Sequence, residues 1–283
     1  MPGYEWQVTD QRIYIDRMPL LMGIVNATPD SFSDGGSYDP VEHALNLLAD
    51  GADILDIGGE STRPGSSPVT ETEELNRVIP VIESIRKQTP ALISIDTTKA
   101  AVAREAIAAG AAILNDVSAL SADAAMLELA AATSVGIIAM HRQGTPQTMQ
   151  LNPHYDDVVS EVTNYLKLRL SAFKEAGIAP QRVALDPGIG FGKRTEHNLQ
   201  LLSHLDRLLE PGRPLCLGVS RKGFINRLLG RQGHAEHGDH GTVGVMTHAL
   251  ARGWVQIARI HNVKAFHDAA TLFLELENHR TQD

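Results

Sequence analysis

LLMGIVN, residues 20–26, sets an unbroken run of apolar or small residues before a single amide, Asn26, and the design recurs: LISID ends at Asp96, AILND at Asn115 and Asp116, and VALD at Asp186. Polar groups that repeatedly close buried strands gather on one rim, which is how a parallel barrel builds an active site. Runs of the same kind give eight expected strands, at 20–26, 53–58, 91–96, 112–115, 135–140, 182–186, 215–219 and 256–261. They are rich in Ile, Leu and Val and do not alternate with polar residues, so both of their faces are buried. Amphipathic stretches at 41–50, 71–88, 98–109 and 156–176 lie between them and read as helices. The alternation predicts an α/β fold, a single (β/α)8 TIM barrel over 20–283. Residues 1–19 fall outside the repeat, and WQVTDQRIYI has the hairpin character expected of a short N-terminal extension covering the barrel's bottom.

A chain of 283 residues is within the range that α/β barrels occupy as one domain. With 43% apolar and 21% charged residues it can bury a full core. A formal charge of -9 excludes a general attraction to nucleic acid or to anionic membranes, so an anionic substrate must be held by local cations. No apolar run is long enough for a membrane span, and MPGYEWQVTD lacks the basic and apolar regions of a signal peptide, so a soluble cytoplasmic protein is expected. The single cysteine, Cys216, lies in the apolar run LCLGV and reads as a small buried thiol without redox or nucleophilic work.

The rim segments carry the chemistry. NATPDSFSDGG, residues 26–36, cannot continue either helix or strand, and its Asn26 offers a carbonyl oxygen suited to Mg²⁺, although a turn residue is the competing reading. GGESTRPGS, residues 58–66, lets backbone approach a ligand closely and brings one fixed cation, Arg63, beside Thr62 and Pro64. An arginine fork suits phosphate or carboxylate, while a solvated surface arginine is the bland alternative. Asp96, Asn115 and Asp186 would project two carboxylates and an amide into one pocket, as acid/base groups, as metal ligands, or as partners for a heterocycle rich in N–H donors. The last of these is favoured. DPGIGFGK, residues 186–193, matches neither the P-loop nor the dinucleotide pattern, and its glycines are expected to let Phe191 and the backbone pack against a flat ligand. GVSRKGFI, residues 218–225, would place Ser220, Arg221 and Lys222 at a helix start suited to anions. IARIHNV, residues 257–263, sends Arg259 and His261 to one side of a strand, forming with Arg63 a cationic cluster for a diphosphate. His234, His237 and His240, beside Glu236 and Asp239, admit a metal cluster, but the glycines among them favour an exposed loop.

In this order, NATPDSFSDGG, GGESTRPG, SIDTTKA, LNDVSA, MHRQGTPQTMQ, DPGIGFGK, GVSRKGFI and RIHNV closely resemble dihydropteroate synthase, over about Met22 to His267. The resemblance implies an enzyme joining p-aminobenzoate to 6-hydroxymethyl-7,8-dihydropterin diphosphate, through a pterin cation formed as pyrophosphate departs. It implies that Asp96, Asn115, Asp186 and Lys222 hold the pterin, with Met140 and Phe191 in its apolar walls. Asn26 would bind the Mg²⁺ cofactor, and Arg63, Arg259 and His261 the diphosphate. Thr62, Pro64, Ser220 and Phe32 would shape the p-aminobenzoate site, and Asp34 would stand beside the cation. A homodimer is the family habit. Two departures are Asn262, where the family commonly has Asp and which is expected to alter the orientation of His261, and Ala27 in place of Val. Rival readings are a pterin-binding methyltransferase, which has no use for a diphosphate cluster, and a non-catalytic pterin-binding paralogue, which would have lost Asp34, Arg63 or Lys222.

Overall fold

The apolar runs pair as neighbours in one curved parallel sheet. The structure, a computed structural model, describes residues 3–28, 39–62, 65–231 and 235–280. An antiparallel hairpin, β1 (Tyr4–Val8) and β2 (Gln11–Ile15), comes first. Eight parallel strands follow: β3 (Leu20–Asn26), β4 (Ile54–Gly58), β5 (Leu92–Asp96), β6 (Ile113–Asp116), β7 (Gly136–Met140), β8 (Val183–Asp186), β9 (Cys216–Leu217) and β10 (Ile257–Ile260). Their order is β8-β7-β6-β5-β4-β3-β10-β9. A bridge between Leu185 and Leu215 and a bond from Leu185 N to Pro214 O at 2.9 Å join the two ends, making the (β/α)8 TIM barrel nearly closed.

Helices α1 (Pro40–Ala49), α2 (Glu71–Gln88), α3 (Ala100–Ala108), α4 (Ala124–Ala132) and α5 (Val158–Glu175) follow strands β3 to β7 in turn. After β8 come α6 (Thr195–Ser203) and α7 (Leu205–Leu209), after β9 come α8 (Gly223–Leu228) and α9 (Asp239–Ala251), and α10 (Val263–Arg280) follows β10. The starts of α1, α2 and α5 are set by Asp39, Thr70 and Asp157, whose side chains accept from first-turn amides. No described helix is long and apolar enough to cross a membrane.

Strand parity sorts the core into two parts. Leu21, Val25, Leu55, Ile57, Ile93, Leu114, Ile137, Leu185 and Ala258 face outward and pack in one cluster with the helices. Met22, Ile54, Ile113, Ile138, Ala184, Cys216 and Ile257 face inward and join Trp6, Val8 and Ile15 of the hairpin in a second. Two residues further along the same inward faces stand Asp56, Asn115, Met140, Asp186 and Arg259. The register also aligns Asn26 with Gly58, Gly58 with Asp96, and Asp96 with Asn115, so one row across β3 to β6 carries three of the expected rim residues.

Two local expectations differ from the structure. The run at 215–219 pairs as strand only over Cys216–Leu217, because the chain turns at once, with Lys222 N donating to Val219 O at 3.3 Å. Helix α8 starts at Gly223, not at Ser220: Arg221 has φ 57°, a left-handed conformation incompatible with continuing a helix. Of the His-rich stretch, Asp239 opens α9 and residues 232–234 lie outside the described residues. Among the described residues no group of three or more His, Cys, Asp or Glu is placed to hold a metal.

Candidate active site

Two adjoining hollows open at the C-terminal ends of the strands. One is walled by Thr62, Asp96, Asn115, Val117, Met140, Asp186, Ile189, Phe191, Gly218, Lys222 and Arg259. The other has Ile24, Asn26, Asp56, Gly58, Glu60, Ser61, Thr62, Asp96, Gly218, Ser220, Arg221, Lys222, Arg259 and His261 around it. A third, wider recess shares Thr62, Phe191 and Lys222 and runs outward past Arg221, Gly223 and Arg227. Residues far apart in the chain, Asp96, Asn115, Asp186, Lys222 and Arg259, are therefore brought around a common cavity. Phe32, Asp34, Arg63 and Pro64 lie outside the described residues.

At the junction lies a buried ion-pair network. Arg259 donates from Nε to Asp56 Oδ2 at 2.7 Å and from Nη2 to Asp96 Oδ2 at 2.7 Å, and Asn115 Nδ2 donates to Asp56 at 3.2 Å. Asp56 was not legible as a site residue, because it sits within the apolar run ILDIG and not at its end; a carboxylate in the middle of a buried strand was the available signal. Burial works against the charge of Arg259, and Asp56 and Asp96 more than offset it, raising its pKa. Burial raises Asp96 to about 7 against the pull of Arg259, with Asp56, Glu74 and Asp116 adding to the rise. Asp186 is raised too, by burial, although the amide of Gly188 donates to its Oδ1 at 2.7 Å. Among the described residues Arg259 pairs with Asp56 and Asp96 while Asp186 is also buried beside them, a setting that rewards a ligand bringing N–H donors. Asp116, by contrast, turns away and accepts from Ser118 N, Ser118 Oγ and Leu120 N at 2.6, 2.7 and 3.1 Å.

The walls are apolar. Val117, Met140, Met149 and Phe191 form a small buried cluster, and the Lys222 ammonium stands 3.9 Å from the centre of the Phe191 ring. Two glycines of DPGIGFGK are also required by the neighbouring loop. Gly188, Gly190 and Gly192 all have positive φ, and a Cβ at Gly188 would lie 1.8 Å from His141 O, at Gly192 2.4 Å from Gln143 O. Gly188 and Gly192 let this loop lie flat on the one after β7, while Gly190 faces Lys222 at the outer recess.

On the other side His261 and Ser220 are joined: Ser220 Oγ is 2.9 Å from His261 Nδ1 and accepts from His261 N at 3.1 Å. Asn262 caps α10, accepting from Ala265 N at 3.1 Å, a bond an aspartate would also make. Arg221 is held by Asp239 through two bonds at 3.0 and 3.1 Å. The base of the loop carrying Thr62 is tied down by Lys99, which bonds Glu60 and buried Glu74, and by Arg77, which donates to Gly59 O at 2.7 Å.

Known proteins resemble this chain in sequence and in fold. The model of the pterin binding enzyme family matches residues 22–261. Dihydropteroate synthase of Neisseria meningitidis serogroup C is 48% identical over 276 residues, covering 95% of this chain and 96% of that protein. The chain belongs to the dihydropteroate synthase family. Among solved structures, that of Xanthomonas albilineans dihydropteroate synthase with 4-aminobenzoic acid is similar at a TM-score of 0.88 and 45% identity, covering 98% of this chain and 99% of the other. Burkholderia cenocepacia dihydropteroate synthase, complexed with 7,8-dihydropteroate, gives a TM-score of 0.89 at 36% identity, with 100% of both chains covered.

Proposed function

We propose that this chain is a transferase that condenses 6-hydroxymethyl-7,8-dihydropterin diphosphate with p-aminobenzoate, giving 7,8-dihydropteroate and pyrophosphate in folate biosynthesis. The observation that carries the reading is the common hollow of Asp96, Asn115, Asp186, Lys222 and Arg259, in a chain 48% identical to a dihydropteroate synthase. Asp96, Asn115 and Asp186 receive the N–H edge of the pterin, and Met140, Phe191 and Lys222 cover its faces. Arg63, Arg259 and His261 hold the diphosphate. Thr62, Pro64, Ser220 and Phe32 shape the place of p-aminobenzoate.

The C–O bond to the diphosphate breaks first, pyrophosphate leaving with the electron pair. The arylamine nitrogen then attacks the resulting pterin methylene cation and gives its proton to solvent or to the departing anion. Stabilising an anion and a cation at once calls for placed charges more than for a strong base. Arg63 and Lys222 serve the first, Asp34 the second. Asn26 lines the hollow, and its side-chain carbonyl oxygen is a hard donor of the kind that suits Mg²⁺. Bound there by Asn26, Mg²⁺ would neutralise charge on the diphosphate. Leu272 and Leu276, exposed and four residues apart on α10, support a homodimer, and a cytoplasmic location accords with the folate pathway.

The test is direct. Purified protein incubated with the pterin diphosphate, p-aminobenzoate and Mg²⁺ is expected to release dihydropteroate and pyrophosphate in equal amounts. Pyrophosphate without dihydropteroate, or neither product, would overturn the reading.

A further inference from the structure

Lys193 is fully buried, at 1% exposure, and among the described residues it makes no ion pair. A buried ammonium without a paired carboxylate costs stability unless its protons find acceptors, and a core position of this kind would be filled more cheaply by methionine. The three protons of Lys193 do find acceptors, all belonging to the two loops that pack behind Phe191. Nζ is 3.0 Å from Gly188 O, 3.1 Å from Phe191 O and 2.9 Å from His141 Nδ1. His141 is lowered to about 3 by burial and by Lys193, so it is neutral and its Nδ1 can accept.

The segment from Gly188 to Gly192 is a turn in which Phe191 N donates to Gly188 O at 3.0 Å, and side chains satisfy further groups of its backbone. Asn198 Oδ1 accepts from Gly190 N at 2.8 Å, Gln150 Nε2 donates to Gly190 O at 2.7 Å, and Tyr155 donates to Gly192 O at 2.9 Å. Lys193 alone bonds two carbonyls of the segment, one of them that of Phe191 itself. Phe191 in turn faces the Lys222 ammonium across the hollow.

We infer that Lys193 is a positioning residue for pterin binding: its buried ammonium locks the Gly188–Gly192 loop so that Phe191 stands as a fixed wall of the ring pocket. This rests on the pterin reading of the hollow. The groups facing Lys193 are His141 after β7, the ring of Tyr155, Asp186 of β8, His197 of α6 and Lys222 before α8. Burial lowers the ammonium to about 7, with Asp186 opposing the fall and Lys222 adding to it.

Lys193→Met removes the donors and keeps the length. Binding of 6-hydroxymethylpterin, which carries no diphosphate, is expected to weaken by at least about tenfold, as in Phe191→Ala. The double variant is expected to bind within about threefold of the weaker single one, because both changes remove the same wall. Penalties that multiply, or wild-type affinity in Lys193→Met, would overturn the inference. Hydrogen exchange reads the loop without any ligand: amides 188–192 are expected to lose protection in Lys193→Met while those of β3 to β6 keep theirs, and unchanged loop protection would also overturn it. A loosened loop in a protein whose wild type does not bind the pterin would sink the functional reading and leave the loop lock standing. Should Lys193→Met not fold, Lys193→Gln takes its place; failure of both to fold makes Lys193 a residue of the fold and ends the proposal.

Discussion

The lower and upper halves of the barrel interior are built on the same strands and follow opposite rules. Ile54 and Asp56, Ile113 and Asn115, Ala184 and Asp186, and Ile257 and Arg259 are pairs two residues apart on one face of one strand. The first of each pair packs under Trp6 and Val8 of the hairpin, where nothing but apolar contact is asked of it. Its partner joins or borders a network of charges whose burial is expensive. Stability is gathered at the bottom and spent at the top, and a rise of about 7 Å along a strand separates the two.

The largest effect expected from this division is at the bottom. Trp6→Ala removes a fully buried ring and the bond from its Nε1 to Arg182 O at 2.9 Å, so the protein should lose about 3–5 kcal/mol in denaturant unfolding. Turnover per folded molecule should stay within about twofold of wild type, since no contact of the upper network is touched. A large fall in turnover at unchanged stability would erase the distinction between the halves.

At the top the order reverses. Asp186→Asn keeps the volume and the shape, and the fold should persist, with a melting temperature close to wild type. Pterin affinity in a calorimetric titration is expected to fall about 100-fold, worth roughly 2.7 kcal/mol. Wild-type affinity would remove Asp186 from the site.

Gly136→Ala sharpens the comparison where the hairpin meets the barrel. The new methyl would lie 2.8 Å from Val8 Cγ2 and 3.2 Å from the Trp6 ring, so something must shift, at about 1–3 kcal/mol of stability with pterin affinity unchanged. A neutral urea midpoint would show the hairpin to be loosely seated.

The smallest effect concerns protons. Asp96 carries its proton up to about pH 7 in the folded chain, against a usual value of 3.8. The folded state then binds protons that the unfolded state has released, so this group favours folding most below pH 3.8, and the contribution is lost as pH rises towards 7. A ligand bringing N–H donors prefers the ionised carboxylate, so the affinity for a pterin without diphosphate should rise by up to about tenfold from pH 6 to pH 7, then level. Affinity that falls over this interval would reverse the assigned sign.

Much of this was legible in the sequence because strands and site share a rule: an apolar run that stops at a polar residue marks both the strand and its rim. Asp96, Asn115 and Asp186 stand at such ends, and the fold brings them around one cavity. Asp56 and Lys193 escaped, the one enclosed within its run and the other following a glycine-rich loop, because burial of a charge inside the fold leaves no local sign of its partners. The start of α8 was misplaced because a left-handed Arg221 depends on its bonds to Asp239, eighteen residues on.

A crystal structure with a pterin bound is the most direct test of the division between the halves. The ring is expected in the upper cavity, with its N–H edge about 3 Å from Asp96, Asn115 and Asp186 and its face against Phe191. A ring bound elsewhere on the molecule, with those side chains still facing an empty hollow, would contradict it.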